Sequence, residues 1–162
     1  MKLLKEINPS RVLFLDIETV PVAKEYGQLP ENLKPFWDRK SSQISRDEST
    51  PEELYERAGI YSEFGKIVTI SVGLVTGTSS RRGIRLKSFY GENEKSILED
   101  FTVMLNNFAT GKDALLCAHN GKEFDFPFLA RRMIIHGMDI PPILDNAGKK
   151  PWEINLLDTM EL

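Results

Sequence analysis

Hydrophobic and polar positions fall along this chain in blocks whose period changes. Val12-Leu13-Phe14-Leu15 is a short apolar run after Pro9-Ser10, and it reads as a buried strand that ends at Asp16. Ile67–Val75 reads as a central strand, and Ile84–Tyr90 as a third strand with partial alternation. The segment from Gly77 to Gly83 between them is a loop, so the pair is expected as an antiparallel hairpin. The period then becomes helical. Ile97, Leu98, Phe101, Met104, Leu105 and Phe108 mark one face of an amphipathic helix from about Asn93, and that stripe is core. Ala114–Ala118 is a fourth strand. Phe128, Leu129, Arg132, Met133 and Ile135 return to helical spacing, with Gly137 placed as a C-cap. Pro127 suits the first turn of that helix and is expected to hold Phe126 extended. A proline-rich loop, Pro141-Pro142 to Pro151-Trp152, leads to a last apolar stretch, Ile154–Leu157, after which Asp158 or Thr159 is placed to cap a helix just beginning. The order β-β-β-α-β-α-β predicts an α/β domain, a mixed sheet flanked by helices.

One connection breaks this rhythm. A polar insert runs from Pro21 to about Glu63, without repeats or low complexity, and connections of that length are usually functional or mobile. Thr50-Pro51-Glu52-Glu53 has the capping-box pattern with proline at the first helical position, which predicts a short helix to about Ala58. Leu29–Ser49 is charged and carries Pro30, Pro35 and the exposed-looking pair Phe36-Trp37. Those rings either stack on nucleotide bases or, the stronger expectation, pin the insert down. The 162 residues are expected as a single domain carrying this insert at about 21–63.

Composition narrows the class. The chain is 41% hydrophobic and 28% charged, the signature of a globular domain rather than a disordered one. No apolar run approaches a membrane span, and Met1–Glu6 lacks a signal-peptide core. The single cysteine, Cys117, falls in a predicted buried strand and reads as a small core hydrophobe. Together these make a cytoplasmic location the expectation. The formal net charge of -3 gives no support to non-specific phosphate binding. An enzyme that holds phosphate through bound cations needs less basic surface, because the cations supply the charge. The charge clusters Arg81-Arg82, Arg131-Arg132 and Lys149-Lys150 read as solvated faces.

Candidate chemistry lies at two places. Asp16 and Glu18 are two apart on the first strand, so both project to one face at its end. Two adjacent carboxylates repel, and either a proton or a cation relieves them; hard divalent cations with oxygen ligands, Mg²⁺ or Mn²⁺, suit such a pair. The bland alternative is a solvated pair of charges where a strand meets a loop. The second place is Ala118-His119-Asn120-Gly121-Lys122-Glu123-Phe124-Asp125-Phe126-Pro127-Phe128-Leu129. It sets Asp125 at or just before a helix N-terminus, where the helix dipole favours the ionised form. His119 and His136 lack metal-ligand spacing.

Phe14-Leu15-Asp16-Ile17-Glu18-Thr19 resembles the first motif of the DEDD 3′–5′ exonucleases. Asn120-Gly121-x-x-Phe124-Asp125-x-Pro127-x-Leu129 resembles their second motif, in the form used by proofreading domains of family-B DNA polymerases. Glu63–Gly73 is similar to the second strand of such domains. The nearest group is the bacterial predicted exonucleases related to those domains. The resemblance implies a ribonuclease H-like fold with an antiparallel second strand and a metal site where the first and fourth strands end. It implies removal of nucleotides from the 3′ end of a single strand, DNA above RNA, with two ions of Mg²⁺ or Mn²⁺. Asp16 would bridge both ions, Glu18 would hold the ion of the attacking water, and Asp125 would hold the second. Thr19 and Phe124 would shape the pocket for the terminal nucleotide, with Asn120 supporting it by hydrogen bonding and Leu129 by packing. Oligomeric state is not implied.

The family's third motif, a Tyr or His followed by a fourth carboxylate on a late helix, has no counterpart here. Asp158 is the one late aspartate, and Asn155-Leu156-Leu157 before it does not fit that motif, so it is expected near the pocket without being the fourth ligand. The favoured expectation is an incomplete exonuclease domain lacking C-terminal helices, with little or no activity of its own. The alternative is a non-catalytic nuclease-fold module that binds nucleic-acid ends or a protein partner.

Overall fold

A computed structural model describes residues 7–45, 49–78, 80–111 and 113–161. The readings made on Met1–Glu6, on 46–48 within the insert, on Ser79 within the hairpin loop and on Leu162 lie outside the described residues. The chain divides into two compact units. One is the chain up to Glu18 together with everything from Val68 on; the other is Thr19–Ile67.

The sheet has five strands: β1 (Val12–Pro21), β2 (Gly65–Thr78), β3 (Arg81–Tyr90), β4 (Leu115–Ala118) and β5 (Leu156–Asp158), in the order β3-β2-β1-β4-β5. β2 and β3 are antiparallel, while β4 runs parallel to both β1 and β5. This mixed sheet, flanked by helices, is an α/β fold, the class its order of elements predicts. The central position of β4 explains its composition: all four residues are buried, as a strand covered on both faces requires.

β1 does not stop at the carboxylates but continues through Glu18 to Pro21. Its burial alternates from Leu13 onward, with Leu13, Leu15 and Ile17 buried and Phe14, Asp16 and Glu18 exposed. The hairpin is tighter than the glycines suggested. Thr78 pairs with Arg81, and Gly77 adopts a φ of 87° where an added Cβ would lie 2.1 Å from the Arg81 carbonyl oxygen. β3 is exposed along its length except at Phe89, whose ring meets Phe101 edge-on at 5.9 Å. Phe101 belongs to a long helix, Glu94–Phe108, whose stripe Ile97, Leu98, Phe101 and Leu105 is buried as its spacing predicts. Asn93 caps that helix, accepting from the Ser96 N–H.

The second unit is more ordered than its polar sequence suggests. Lys34–Ile44 is a helix, α1, within the charged segment to which the sequence assigned no element; Pro35 supplies a pre-set first turn. Its Trp37 is fully buried, against the exposed appearance of Phe36-Trp37 in sequence, while Phe36 is 65% exposed. Trp37 packs with Leu29, Tyr55, Ala58 and Phe64, and its indole N–H donates to the Pro51 carbonyl at 2.7 Å. The capping box at Thr50 is formed, and it opens α2 (Pro51–Leu54), which runs into a 3₁₀ turn, Tyr55–Ile60. The insert thus carries a small hydrophobic core of its own. In chain order the long helix Glu94–Phe108 is α3. No helix among the described residues is long and apolar enough to cross a membrane.

Candidate active site

Asp16 and Glu18 lie on the solvent-facing phase of β1, both exposed, with the buried Ile17 between them facing the other way. The strand geometry therefore presents two carboxylates side by side on a stiff support. What faces them in the plane of the sheet is decided by the length of β4. β4 pairs with Val12, Leu13 and Phe14 and ends at Ala118, so it supplies no acceptor for the backbone N–H of Ile17. Asp125 supplies it: its Oδ1 accepts from the Ile17 N–H at 3.1 Å. A side chain 108 residues away in sequence is thereby fixed to the backbone between Asp16 and Glu18.

Asp125 is the first residue of α4 (Asp125–Ile135). Gly137, with a φ of 66°, ends that helix as its spacing predicts, and the Met138 N–H returns to the Met133 carbonyl. Phe126 is helical, not extended; Pro127 falls in the first turn, where its missing N–H has no partner to lose and the residue before it stays helical. A second expectation is also overturned. The helix N-terminus does not keep the Asp125 carboxyl easily ionised: its pKa is raised from 3.8 to about 6. Burial is the largest cause, at 3% exposure, and the negative charge of Asp16 adds to it; the Ile17 N–H and the residue's own N–H act downward and lose. Desolvation of a carboxylate outweighs a dipole whose effect is about 1 kcal/mol.

The loop from β4 to α4 is wound tightly. Asn120 takes a φ of 57°, the one positive φ at a non-glycine among the described residues, and its carbonyl accepts from Glu123 and Phe124 N–H groups. Gly121 is packed so closely that an added Cβ would stand 2.4 Å from the Ala118 Cβ. Asp158, at the end of β5 and 4% exposed, gathers this loop: Oδ1 accepts from Asn120 N–H at 2.8 Å and Met160 N–H at 2.9 Å, and Oδ2 from Lys122 N–H at 3.0 Å. Burial pushes the Asp158 carboxyl upward, yet the three N–H donors prevail and hold it below the ordinary value. Its oxygens are thus occupied by backbone. The Asp158 side chain also caps the 3₁₀ turn Thr159–Glu161 that follows.

The remaining site candidates divide. Asn120 is exposed, and Phe124 is half-buried with its ring 5.4 Å from Phe128. Leu129 is fully buried and can act only by packing beneath the loop. Thr19 is half-buried in the other phase of β1 from Asp16 and Glu18. Both histidines have side-chain partners within the fold. His119 Nδ1 lies 2.8 Å from Thr159 Oγ1, and His136 Nε2 lies 2.7 Å from Glu94 Oε2. That Glu94 is buried at the start of α3 and also takes two hydrogen bonds from Arg132 of α4, at 2.8 and 2.5 Å. The charged junction between α3 and α4 was not legible in sequence, since Glu94 and Arg132 each look like surface residues on their own helices.

Among the described residues, no three His, Cys, Asp or Glu side chains are gathered closely enough to hold a metal ion. Asp125 is turned onto the strand backbone, and Asp16 and Glu18 extend into solvent, as like charges without a counter-ion should. The donor set itself fits a hard cation: every candidate is a carboxylate, one of them buried beside a second negative charge, and a cation would relieve that cost. A half-open, mostly apolar cavity of about 720 Å³ under α4, lined in part by Phe126, Ala130, Leu144 and Ile154, includes none of the three carboxylates and so stands apart from this chemistry.

A family model described as "Predicted 3'-5' exonuclease related to the exonuclease domain of PolB" matches residues 60–159 of this chain. The match takes in Asn120, Phe124, Asp125 and Leu129 and begins after Asp16 and Glu18. No curated protein matches. Among solved structures, the chain is similar to the family B DNA polymerase from the hyperthermophilic archaeon Pyrobaculum calidifontis, with 17% sequence identity and a TM-score of 0.45. The similarity covers 91% of this chain and 15% of that one.

Proposed function

This chain belongs to the family of predicted 3′–5′ exonucleases related to the exonuclease domain of PolB, and from that premise we propose a metal-dependent nuclease that removes nucleotides from the 3′ end of a single strand, DNA above RNA. The observation that carries the reading is the hydrogen bond from the Ile17 N–H to Asp125, which brings the second-motif carboxylate to the strand that bears Asp16 and Glu18. Asp16, Glu18 and Asp125 would hold Mg²⁺ or Mn²⁺. When bound, such ions neutralise the phosphodiester and make water nucleophilic near neutral pH.

The protein's own part is placement. Asp16 and Glu18 are fixed by a strand whose opposite face is core, so their spacing does not depend on a mobile loop. Asp125 needs only to leave one backbone N–H to turn toward them. Asn120 offers an exposed amide for the terminal nucleotide, Phe124 a half-buried ring set against Phe128, and Leu129 packing beneath the loop. The net charge of -3 is consistent with cations, rather than surface lysines, drawing the phosphate in.

The test is an assay of the full-length protein on 5′-labelled single-stranded DNA and RNA, with and without Mn²⁺. The expected result is a ladder shortened from the 3′ end that requires Mn²⁺ and vanishes in Asp16→Ala. Tight binding of the labelled strand without any shortening would instead favour a non-catalytic module.

A further inference from the structure

We propose that Asp158 and the 3₁₀ turn after it form a clasp that positions the β4–α4 loop, and through it sets the Asp125 carboxylate against β1. Four contacts make the clasp, and they converge on three loop residues. Asp158 accepts from the backbone N–H groups of Asn120 and Lys122, at 2.8 and 3.0 Å. Thr159 Oγ1 meets His119 Nδ1 at 2.8 Å, and Glu161 pairs with the Lys122 ammonium. The sheet makes this possible: Ala118 and Asp158 are register partners in parallel strands, so both strands end at the same level and the carboxylate meets the loop as it turns.

The loop needs such an anchor. Asn120 sits in the left-handed region, Gly121 is jammed against Ala118, and the helix that begins at Asp125 has no side-chain cap at Phe124. The start of α4 is therefore left without a side-chain cap of its own. The Phe126 N–H returns to the Gly121 carbonyl at 2.9 Å, so a shift at Asn120–Lys122 passes directly to Asp125. Asp158 is a positioning residue: its carboxylate oxygens are taken up by the backbone N–H groups of Asn120, Lys122 and Met160, and its effect on the reaction rests on the proposed function above.

The test compares Asp158→Asn with Leu105→Ala, a core truncation in α3 that touches none of the four clasp contacts. Two readouts are taken: amide hydrogen exchange in metal-free protein, and Mn²⁺ affinity by titration. Asparagine keeps the shape but presents an NH₂ where an N–H needs an acceptor. In Asp158→Asn, exchange at Asn120, Lys122 and Ile17 should quicken by about tenfold or more beyond any global change, and Mn²⁺ affinity should fall about 10–100-fold. Leu105→Ala should lower the melting temperature while leaving both readouts unchanged at these positions. Faster exchange at Asn120 and Lys122 with Ile17 and Mn²⁺ affinity unmoved would overturn the proposal, because Asp158 would then be a local staple. If Asp158→Asn does not fold, the exposed pair Thr159→Val with Glu161→Gln decides: the clasp predicts quicker exchange at Ile17, and no change there refutes it. A wild-type protein that binds no Mn²⁺ would defeat the metal reading, while exchange at Ile17 would still decide the clasp.

Discussion

Replacing Asp125 by asparagine removes a charge and keeps the shape, and the structure gives the size and sign of the effect. The carboxyl is 3% exposed, and its pKa stands at about 6 against an ordinary 3.8. At about 1.4 kcal/mol per pH unit, holding it ionised costs the metal-free fold about 3 kcal/mol. The folded value lies above the unfolded one, so between these two values the native state keeps a proton the unfolded chain has lost. That contribution is fully present below pH 3.8 and is lost as pH rises through about 6. The neutral amide of the variant has nothing to lose in that window. It still offers an oxygen to the Ile17 N–H, a weaker acceptor by about 1 kcal/mol. In EDTA the Asp125→Asn protein should therefore gain on wild type from pH 4 to about 6, level off above that, and end about 2 kcal/mol more stable, or about 4–8 °C in melting temperature. Saturating Mn²⁺ should reverse the order, since a ligand at 100 times its dissociation constant adds about 2.7 kcal/mol to wild type and little to the variant. A difference between the two proteins that stays flat from pH 4 to 7, or a variant that melts below wild type at pH 7 in EDTA, would refute the claim that Asp125 is a buried, uncompensated carboxylate.

Three further outcomes follow from the same geometry. Asp16→Ala should melt no lower than wild type in EDTA and gain less from Mn²⁺, with nuclease activity abolished; equal metal stabilisation would contradict its role as a ligand. Arg132→Met takes the guanidinium away from the buried Glu94 and should cost about 3–5 kcal/mol in urea denaturation, a loss below about 1 kcal/mol contradicting the buried pairing. Trp37→Ala empties the centre of the insert's core and should cost about 3–5 kcal/mol, seen as rapid proteolysis within residues 19–67; an unchanged cleavage pattern would show that the Trp37 cluster does not hold the unit.

The sheet and its helices were legible because their signals are local. The run Val12–Leu15 announced a strand, although that strand runs on to Pro21 and leaves Phe14 exposed, and the α3 stripe keeps its helical period, with Ile97, Leu98, Phe101 and Leu105 buried. Two kinds of feature were not. The insert's core was not read because it is small: Trp37 draws together Leu29, Tyr55 and Phe64 from scattered positions, and no periodic stripe announces them. Long-range polar contacts were equally silent. Nothing near Asp125 in sequence says that its carboxylate will be buried on the Ile17 N–H, so the helix-end argument gave the wrong direction for its ionisation. Asp158 was placed near the pocket by its position at the end of β5, but its hold on Asn120 and Lys122 depends on a strand register that only the folded sheet reveals.

The most direct measurement is a crystal structure of the protein soaked in Mn²⁺, with the ion located by its anomalous scattering. The account predicts a peak coordinated by Asp16 and by Asp125 at about 2.1 Å, with Asp125 turned off the Ile17 N–H. Asp125 still seated on that N–H at saturating Mn²⁺, with the ion bound elsewhere or not at all, would contradict it.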